Sequence, residues 1–294
     1  MAGYARPPKL NKTSFDFSIF ISKLSEFNSK NKQGTILPSY NFLTWFIGFT
    51  EGDGSFIINK RGDLAFCITQ STSDIQVIEF IQETLGFGKV IRQSAITSRF
   101  SVQNKKEIEL IVALFNGNLV LPGRKVDFEK FLIAYNQWGS KGYLKLEEVK
   151  LTQRTKCTEI FPSFLNCWLA GFTDAEGCFS CSFLSNSNAF RIRYQIAQKG
   201  EINLPILNHL VKVFKAGKVC RHHVKGVYEF IIIGLKDCES IFSYFDNNNL
   251  YTKKSNSYTL WKNLHLRIKN KEHLNPETRL ILKEKARLIN KFNL

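Results

Sequence analysis

The stretch FTEGDGSF, residues 49–56, places two acids and three small residues directly after an apolar run that has the pattern of a helix. The stretch FTDAEGCF, residues 172–179, repeats this arrangement, and Gly177 lies 123 residues after Gly54. Acids are disfavoured at a helix C-terminus, because the helix dipole places partial negative charge there. Two such ends in one chain therefore indicate that the acids serve a chemical purpose.

The segments around these two stretches also match each other, in the same order along the chain. The matching pairs are 43–56 with 165–179, 66–70 with 194–198, 88–90 with 217–219, and 118–125 with 248–255. The offset grows from 123 to 129 residues, which places a longer loop in the second copy. The chain is therefore an internal duplication of one structural unit.

Each copy has the order helix, strand, strand, helix, strand, strand, helix. The strands show alternation, as in FRIRYQIAQ (190–198), where polar and apolar side chains take turns. One sheet face is then apolar and covered by helices, while the other is polar and open to water. We predict an α+β fold of two pseudo-symmetric αββαββα half-domains with antiparallel sheets.

The pattern also predicts element and domain limits. In the first copy, helices are expected at 40–52, 74–85, 105–115 and 124–137, and strands at 54–60, 64–71, 88–93 and 98–103. The predicted domains are an N-terminal appendage at 1–38, a first half-domain at 39–142, a linker at 143–164 and a second half-domain at 165–294. The appendage is either a transit peptide or sequence left from an upstream reading frame.

The composition favours a polyanionic partner. Lys and Arg number 41 against 25 Asp and Glu, which gives a formal net charge of +16 and a pI near 9.5. Such charge most often serves nucleic-acid binding, with a solvated basic surface as the alternative. No apolar run approaches the ~20 residues of a membrane-spanning helix. Seven cysteines, an odd number in a long chain, indicate reduced thiols.

A zinc site is an alternative use of some of these cysteines. Cys178 and Cys181 form a CxxC pair, and Cys220, His222 and His223 could add ligands. The segment after Gly177 has the pattern of a strand, in which residues three apart face opposite sides. The two sulfurs of the pair would then diverge, which disfavours zinc.

Small residues four apart mark one face of each motif helix. Gly48 and Gly52 lie in the first helix, and Gly171 and Ala175 lie in the second. This spacing lets two helix backbones approach closely, so we predict that the two helices pack against each other at the interface of the half-domains. Their C-terminal ends are then expected to lie side by side.

The glycines that follow the helices suggest how they stop. Gly54 and Gly177 suit the left-handed conformation that often ends a helix. Asp53 and Glu176, which precede them, are then expected to emerge together at the shared end.

A bound Mg²⁺ would resolve the conflict between these acids and the helix dipoles. Hard cations take carboxylate and carbonyl oxygens, and helix ends offer both. In the alternative, Glu51 and Asp174 cap loops while Asp53 and Glu176 are merely solvated. Two copies in register, in a chain of charge +16, favour the metal.

FIGFTEGDG (46–54) and LAGFTDAEG (169–177) resemble the paired motifs of the LAGLIDADG homing endonucleases, of the single-chain type encoded in fungal mitochondrial introns. The resemblance covers residues 40–294. It implies a monomeric mitochondrial nuclease that makes a double-strand break at a long, pseudo-symmetric DNA target and promotes intron homing. The first motif has Phe46 and Ile47 where Leu and Ala are usual, and Asp as its second acid where Glu is common, but neither change removes a carboxylate.

The resemblance also implies roles for residues of the motifs. Asp53 and Glu176 correspond to the metal-binding acids, and the carbonyl groups of Gly52 and Ala175 to further ligands. The implied cofactor is Mg²⁺, with Mn²⁺ as a substitute and Ca²⁺ binding without supporting cleavage.

Four residues outside the motifs complete the predicted catalytic set. Gln70 and Gln198, at matching strand ends, are expected to hold ordered water. Lys125 and Lys254 are expected to assist electrostatically or to tune the pKa of that water. The residue before each lysine, Arg124 or Lys253, is also basic and could take the place of the lysine.

The polar strand faces are expected to form a curved, basic, DNA-binding saddle that lies in the major groove. In the first half the candidate contacts are Ser55, Asn59, Arg61, Thr69, Lys89, Gln93, Arg99, Ser101 and Gln103. In the second half they are Ser180, Ser182, Arg191, Arg193, Gln195, Lys218, His222 and Glu229. Because the halves differ, the two half-sites of the DNA are expected to differ in sequence.

Two other functions fit the same resemblance. An RNA maturase would bind host intron RNA as a splicing cofactor without cutting DNA, and a regulator would bind DNA without catalysis. Some relatives of the maturase kind lose an acid, whereas Asp53 and Glu176 are both present here. The pair of acids favours the nuclease.

Overall fold

The computed structural model describes residues 14–30, 37–138 and 159–291. The first part contains α1 (Ser18–Lys30), α2 (Tyr40–Asp53), β1 (Gly54–Ile58), β2 (Leu64–Ser71), α3 (Ile75–Leu85), β3 (Lys89–Arg92), β4 (Thr97–Val102), α4 (Lys105–Phe115) and α5 (Pro122–Gln137). The second contains α6 (Trp168–Glu176), β5 (Gly177–Phe183), β6 (Phe190–Lys199), α7 (Leu204–Phe214), β7 (Lys218–Arg221), β8 (Val227–Ile233), α8 (Leu235–Cys238), α9 (Phe242–Asn247), α10 (Lys254–Lys269) and α11 (Pro276–Leu288).

The two halves contain matching antiparallel sheets. Their strand orders are β1-β2-β4-β3 and β5-β6-β8-β7. In β6, buried and more exposed side chains alternate as predicted, since Ile192, Tyr194 and Ile196 lie in the core. The predicted fold of two pseudo-symmetric α+β half-domains is confirmed.

The predicted limits of six of the eight elements in the first copy differ from the observed ones by one or two residues, and three of these differences have a local cause. Strand β1 ends at Ile58 because Asn59 begins a turn, in which its Oδ1 accepts from the amides of Arg61 and Asp63. Helix α3 begins at Ile75 because the three preceding residues form a 3₁₀ turn. Helix α5 begins two residues early, at Pro122, where proline fits the first helical position.

Helices α2 and α6 pack face to face through their glycines, as the spacing predicted. A Cβ atom at Gly48 would lie 2.0 Å from the carbonyl oxygen of Trp168. A Cβ atom at Gly171 would lie 1.9 Å from the carbonyl oxygen of Trp45. The backbones therefore touch at a distance that only glycine permits, and the C-terminal ends of both helices meet.

The left-handed conformation predicted for Gly54 and Gly177 is wrong. Both residues are extended, with φ of −81° and −74°, because the chain passes directly from helix into strand. Glycine is needed for space instead. A Cβ atom would lie 2.4 Å from Cγ2 of Thr50 at the first position and 2.5 Å from Cγ2 of Thr173 at the second.

The described part of the predicted appendage packs on the first half-domain. Phe15, Phe17, Phe20 and Leu24 are buried, and α1 contacts α4. Asn118 fixes the entry to this helix, because its Oδ1 accepts from the Asp16 amide at 2.8 Å and its Nδ2 donates to the Asp16 carbonyl at 2.9 Å. Apolar burial thus joins the segment from Phe15 onward to the first half-domain.

Other predicted limits lie outside the described residues. This applies to residues 1–13 of the appendage and to 143–158 of the predicted linker. Within the ranges that the structure does describe, none of the helices has the length and apolar character needed to cross a bilayer.

Candidate functional site

Asp53 and Glu176 are the last residues of the two paired helices, one from each half. Burial raises the pKa of Asp53, and a hydrogen bond from Gln70 and the charges of Lys254 and Arg124 oppose that rise. Burial likewise raises the pKa of Glu176, and the charge of Asp53 raises it further. The charges of Lys254 and Arg124 also act on Glu176, yet the pKa of both acids stays raised, so a divalent cation would further stabilise the two carboxylates.

Each acid has a glutamine beside it. Gln70 Nε2 donates to Asp53 Oδ2 at 2.6 Å, and a side-chain hydrogen bond joins Gln198 to Glu176. The two glutamines lie on the core-facing side of β2 and β6, at the ends nearest the motif helices. They contact the acids directly, and the water-holding role expected for them stays a prediction.

Two cations bind the carbonyl groups at the helix ends. Lys254 Nζ donates to the carbonyl oxygen of Ala175 at 2.7 Å and to that of Thr173 at 3.2 Å. Arg124 donates from Nε to the carbonyl oxygen of Glu51 and from Nη2 to that of Gly52, both at 2.7 Å. These contacts satisfy carbonyl groups that a helix end leaves free.

The cation of the first half is thus one residue before the predicted one. Arg124 takes the place expected for Lys125, which instead lines a separate cavity beside Phe161. The sequence left open, by one residue, which basic residue of α5 would reach the site. The repeat does not reveal the exact start of this helix, which lies at Pro122. The catalytic role of Lys125 stays a prediction.

The site around Asp53 is built from both halves. A polar cavity of about 290 Å³ is lined by Asp53, Gln70 and Asp74 of the first half and by Ala175 and Lys254 of the second, among others. The repeat relates these residues to Glu176, Gln198 and Asn203 of the second half and to Gly52 and Arg124 of the first. We call these sets the Asp53 centre and the Glu176 centre.

Glu51 is buried and caps a loop of its own half. Its Oε1 accepts from the amides of Val120 and Leu121 at 2.8 and 2.6 Å. Its Oε2 accepts from Trp168 Nε1, in the other half, at 2.6 Å. Burial raises the pKa of Glu51 to about 7, although these three donors oppose the rise.

Asp174 makes the reciprocal contacts. It accepts from the amides of Tyr251 and Thr252 at 2.8 and 3.1 Å and from Trp45 Nε1, in the first half, at 2.9 Å. The capping role considered for Glu51 and Asp174 in the sequence is therefore what the structure shows. The two tryptophans were missed, although each lies six residues before the buried acid of its own motif.

Trp168→Phe is expected to destabilise the protein by about 1–3 kcal/mol, because it leaves Glu51 Oε2 buried without its indole donor. The loss should grow as the pH rises through about 7, where the Glu51 carboxylate ionises. Thermal unfolding at pH 6 and pH 8 measures both effects. Trp261→Phe, which removes an indole bond to the neutral Ser180 carbonyl within one half, is the matched control. An equal, pH-independent loss in both variants would contradict the account.

Most candidate DNA contacts lie on the open sheet faces. The exposed ones are Ser55, Asn59, Arg61, Thr69, Lys89, Gln93, Gln103, Ser182, Arg191 and Lys218, and the half-buried ones are Arg99, Ser180, Arg193, Gln195, His222 and Glu229. Asn59 and Arg61 belong to the turn after β1 rather than to a strand. Their contacts with DNA stay predictions.

Ser101 is the exception among these candidates. It is only 6% exposed, because it lies in the sheet interior between Cys67 and Lys89, its partners on the neighbouring strands. Its Oγ lies 3.5 Å from Cys67 Sγ. Ser101 thus presents little polar surface on this face, and its contact with DNA stays a prediction.

Two isoleucines of the same faces were missed. Ile91 is 47% exposed opposite Arg99, and Ile233 is 45% exposed opposite Arg193. Ile91 alternates with Lys89 in β3, so the strand pattern could have placed it on the polar face.

The zinc alternative has no support in the structure. Cys178 pairs with Gln195 on the polar face of the sheet, whereas Cys181 packs against the core. Within residues 14–30, 37–138 and 159–291, no group of three or more His, Cys, Asp or Glu residues has the arrangement of a metal site.

Comparisons with known proteins agree on one family. A family model described as "LAGLIDADG endonuclease" matches residues 46–135 and 169–265. The "Probable intron-encoded endonuclease 4" of Neurospora crassa is 35% identical over 257 residues, which cover 85% of this chain and 44% of that relative. The "Intron-encoded RNA maturase bI4" of Saccharomyces cerevisiae is 27% identical over 189 residues, 63% of this chain and 26% of the maturase. The chain thus spans less than half the length of either.

A solved structure shows the same fold. The LAGLIDADG meganuclease I-AabMI, bound to uncleaved DNA, superposes with a TM-score of 0.73 at 21% identity. The match covers 85% of this chain and 99% of that one.

Proposed function

The chain belongs to the LAGLIDADG endonuclease family, and from that premise we propose that it cuts both strands of a long, pseudo-symmetric DNA target by metal-dependent hydrolysis. Related proteins are intron-encoded proteins of fungal mitochondria, which agrees with a mitochondrial, organelle-encoded protein. The break would promote homing of the intron that encodes the protein. The observation that carries the proposal is the meeting of Asp53 and Glu176 at the ends of two paired helices.

The residues present fit a hard divalent cation. Asp53 and Glu176 supply carboxylate oxygens, and Gly52 and Ala175 supply carbonyl oxygens that each have a second lone pair beside the bond to Arg124 or Lys254. Mg²⁺ is commonly held by one or two carboxylates together with substrate phosphates. When bound, such an ion supplies a nucleophilic water and neutralises phosphate charge.

The other side chains of each centre orient the carboxylates and compensate negative charge. Gln70 and Gln198 hold the carboxylates in place through their amide donors. Lys254 and Arg124 bring positive charge to the two helix ends, where the attacked phosphate accumulates negative charge. Two centres related by the repeat then serve the two strands.

The open sheet face of the second half supports DNA as the ligand. Arg193 Nε and Ser180 Oγ, on directly paired residues of β6 and β5, are buried without a hydrogen-bond partner among the described residues. Buried polar atoms of this kind call for a partner. Rotation of these side chains toward the open face would let a DNA base edge or phosphate supply that partner, and the charge of +16 favours DNA.

Cleavage of the intron-lacking allele of the host gene tests the proposal. We expect double-strand cleavage with Mg²⁺ and binding without cleavage with Ca²⁺. The maturase is the second candidate, because bI4 is among the relatives. Tight binding to the host intron RNA without cleavage of the DNA would favour the maturase and contradict the nuclease.

Arg191→Ala and Arg193→Ala are expected to weaken DNA binding, because both side chains lie on the polar face of β6. Loss of a phosphate contact lowers affinity for all sequences and reduces the salt slope by about one. Loss of a bidentate guanine contact costs roughly 1–3 kcal/mol at one base pair. Any relaxed preference should lie in one half-site, since both residues belong to the second half.

Titrations at several salt concentrations, with single base changes in each half-site, separate these outcomes. Arg287→Ala removes the same charge from the exposed side of α11 and is the matched control. Relaxed preference in both half-sites, or unchanged affinity at low salt, would show that β6 does not face the DNA as described.

A further inference from the structure

Two hydrogen bonds cross between the halves beside the candidate centres. Asp74 Oδ1, in the first half, accepts from the Lys253 amide of the second half at 3.0 Å. Asn203 Oδ1, in the second half, accepts from the Gly123 amide of the first half at 3.1 Å. The two bonds are related by the repeat, because each joins the turn before α3 or α7 to the first turn of the other half's α10 or α5.

Each of these bonds reaches the start of a helix that carries a cation. Lys253 directly precedes Lys254, whose Nζ lies on the Ala175 carbonyl. Gly123 directly precedes Arg124, whose guanidinium lies on the Gly52 carbonyl. The crossing bond thus holds the backbone at the start of the helix from which the cationic side chain extends.

The strands that lead into these two turns contact the acids. Gln70, four residues before Asp74, donates to Asp53. Gln198, five residues before Asn203, bonds to Glu176. In each half, the strand contacts the acid of that half through a glutamine, and the turn that follows the strand contacts the cation-bearing helix of the other half through Asp74 or Asn203.

The two capping side chains have fixed orientations. Asn203 is 6% exposed, and its Nδ2 donates to the Lys199 carbonyl at 3.1 Å, which directs its Oδ1 toward Gly123. Asp74 lines the cavity of the Asp53 centre and also accepts from Gln76 Nε2 at 3.1 Å. Each side chain is thus oriented by a contact within its own half and accepts a backbone amide of the other half.

We propose that Asp74 and Asn203 are positioning residues that couple the two halves at the catalytic centres. Asp74 sets Lys254 for the Asp53 centre, and Asn203 sets Arg124 for the Glu176 centre. Each half thus contributes the acid of one centre and also positions the cation that the other half supplies to that centre. The inference rests on the proposed nuclease function and adds that the two caps act on different DNA strands.

Strand-resolved cleavage is the first test. The wild-type protein selects a duplex from a randomised library, and the two strands of that duplex receive different fluorophores. Asp74→Ala is expected to slow one strand by roughly 10- to 100-fold with the other within about 3-fold, because small misplacement of a catalytic group has effects of that order. Asn203→Ala is expected to slow the opposite strand.

Conservative variants and a matched control separate positioning from stability. Asp74→Asn keeps an oxygen acceptor and should restore most of the rate, whereas Asn203→Asp keeps the acceptor but loses the donor to the Lys199 carbonyl and should restore only part of it. Asn275→Ala removes a cap of similar kind, which accepts from Thr278 N at 3.0 Å within one half, and should slow neither strand selectively. Equal slowing of both strands by Asp74→Ala and Asn203→Ala, without rescue, would overturn the inference.

Amide hydrogen exchange supplies a readout that does not depend on cleavage. Asp74→Ala should speed exchange in the first turn of α10, and Asn203→Ala in the first turn of α5, in each case across the interface. Unchanged exchange at both helix starts would overturn the inference even in a protein that cuts. If the wild-type protein fails to cut but the two variants show these exchange changes, the nuclease function is contradicted. The coupling of the halves would still stand.

Discussion

Glu176→Gln is expected to abolish double-strand cleavage while it leaves DNA affinity within a few-fold of the wild type. The substitution keeps the shape of the side chain but removes a charge at the helix end where Asp53 and Glu176 meet. A catalytic metal stabilises the transition state by several kcal/mol, which corresponds to on the order of 10²–10³-fold in rate. Binding should persist because the sheet faces, not the acids, carry most of the expected DNA contacts.

A nicking assay on supercoiled DNA that contains the target measures the effect. Asp53→Asn should also abolish double-strand cleavage, but the strand that it leaves intact should be the one opposite to the strand left intact by Glu176→Gln. Glu277→Gln makes the same chemical change in the exposed first turn of α11 and is the matched control. Cleavage by Glu176→Gln at the normal rate would remove the metal assignment for this residue.

Gly171→Leu is expected to prevent stable folding. A Cβ atom alone at this position would lie 1.9 Å from the Trp45 carbonyl oxygen and 2.8 Å from the Phe49 amide nitrogen, both in α2. Backbone atoms cannot rotate away as a side chain can, so the two helices must separate. Overpacking typically costs about 1–3 kcal/mol, and this contact should exceed that range. A domain is stable by only about 5–15 kcal/mol.

Separation of the helices has a second consequence. It would break the bond from Trp45 to Asp174 and move Asp53 away from Glu176, so stability and cleavage should fall together. Soluble yield and thermal unfolding measure the first effect, and Gly171→Ala gives a milder step in the same direction. Asn41→Leu, on the exposed first turn of α2, adds the same side chain outside the interface and should change little. An unchanged melting temperature for Gly171→Leu would mean that the helices do not meet there.

The sequence determined much of the candidate site because its signals are local. Two motifs with acids at a helix end identified Asp53 and Glu176, and four-residue glycine spacing identified the helix face around Gly48 and Gly171. Period-two alternation placed most of the polar strand residues on the open faces. Each of these signals depends on the geometry of a single helix or strand, which the residue pattern already contains.

Only the tertiary structure decided which groups meet across the two halves. Arg124 rather than Lys125 reaches the Gly52 carbonyl, because α5 begins at Pro122 and the face of the helix that meets the other half is set by packing. Trp168 and Asp74 find their partners 117 and 179 residues away, and no local period relates such positions. The repeat fixes the shape of each half, but the side-chain contacts that complete each centre arise only when the two halves pack together.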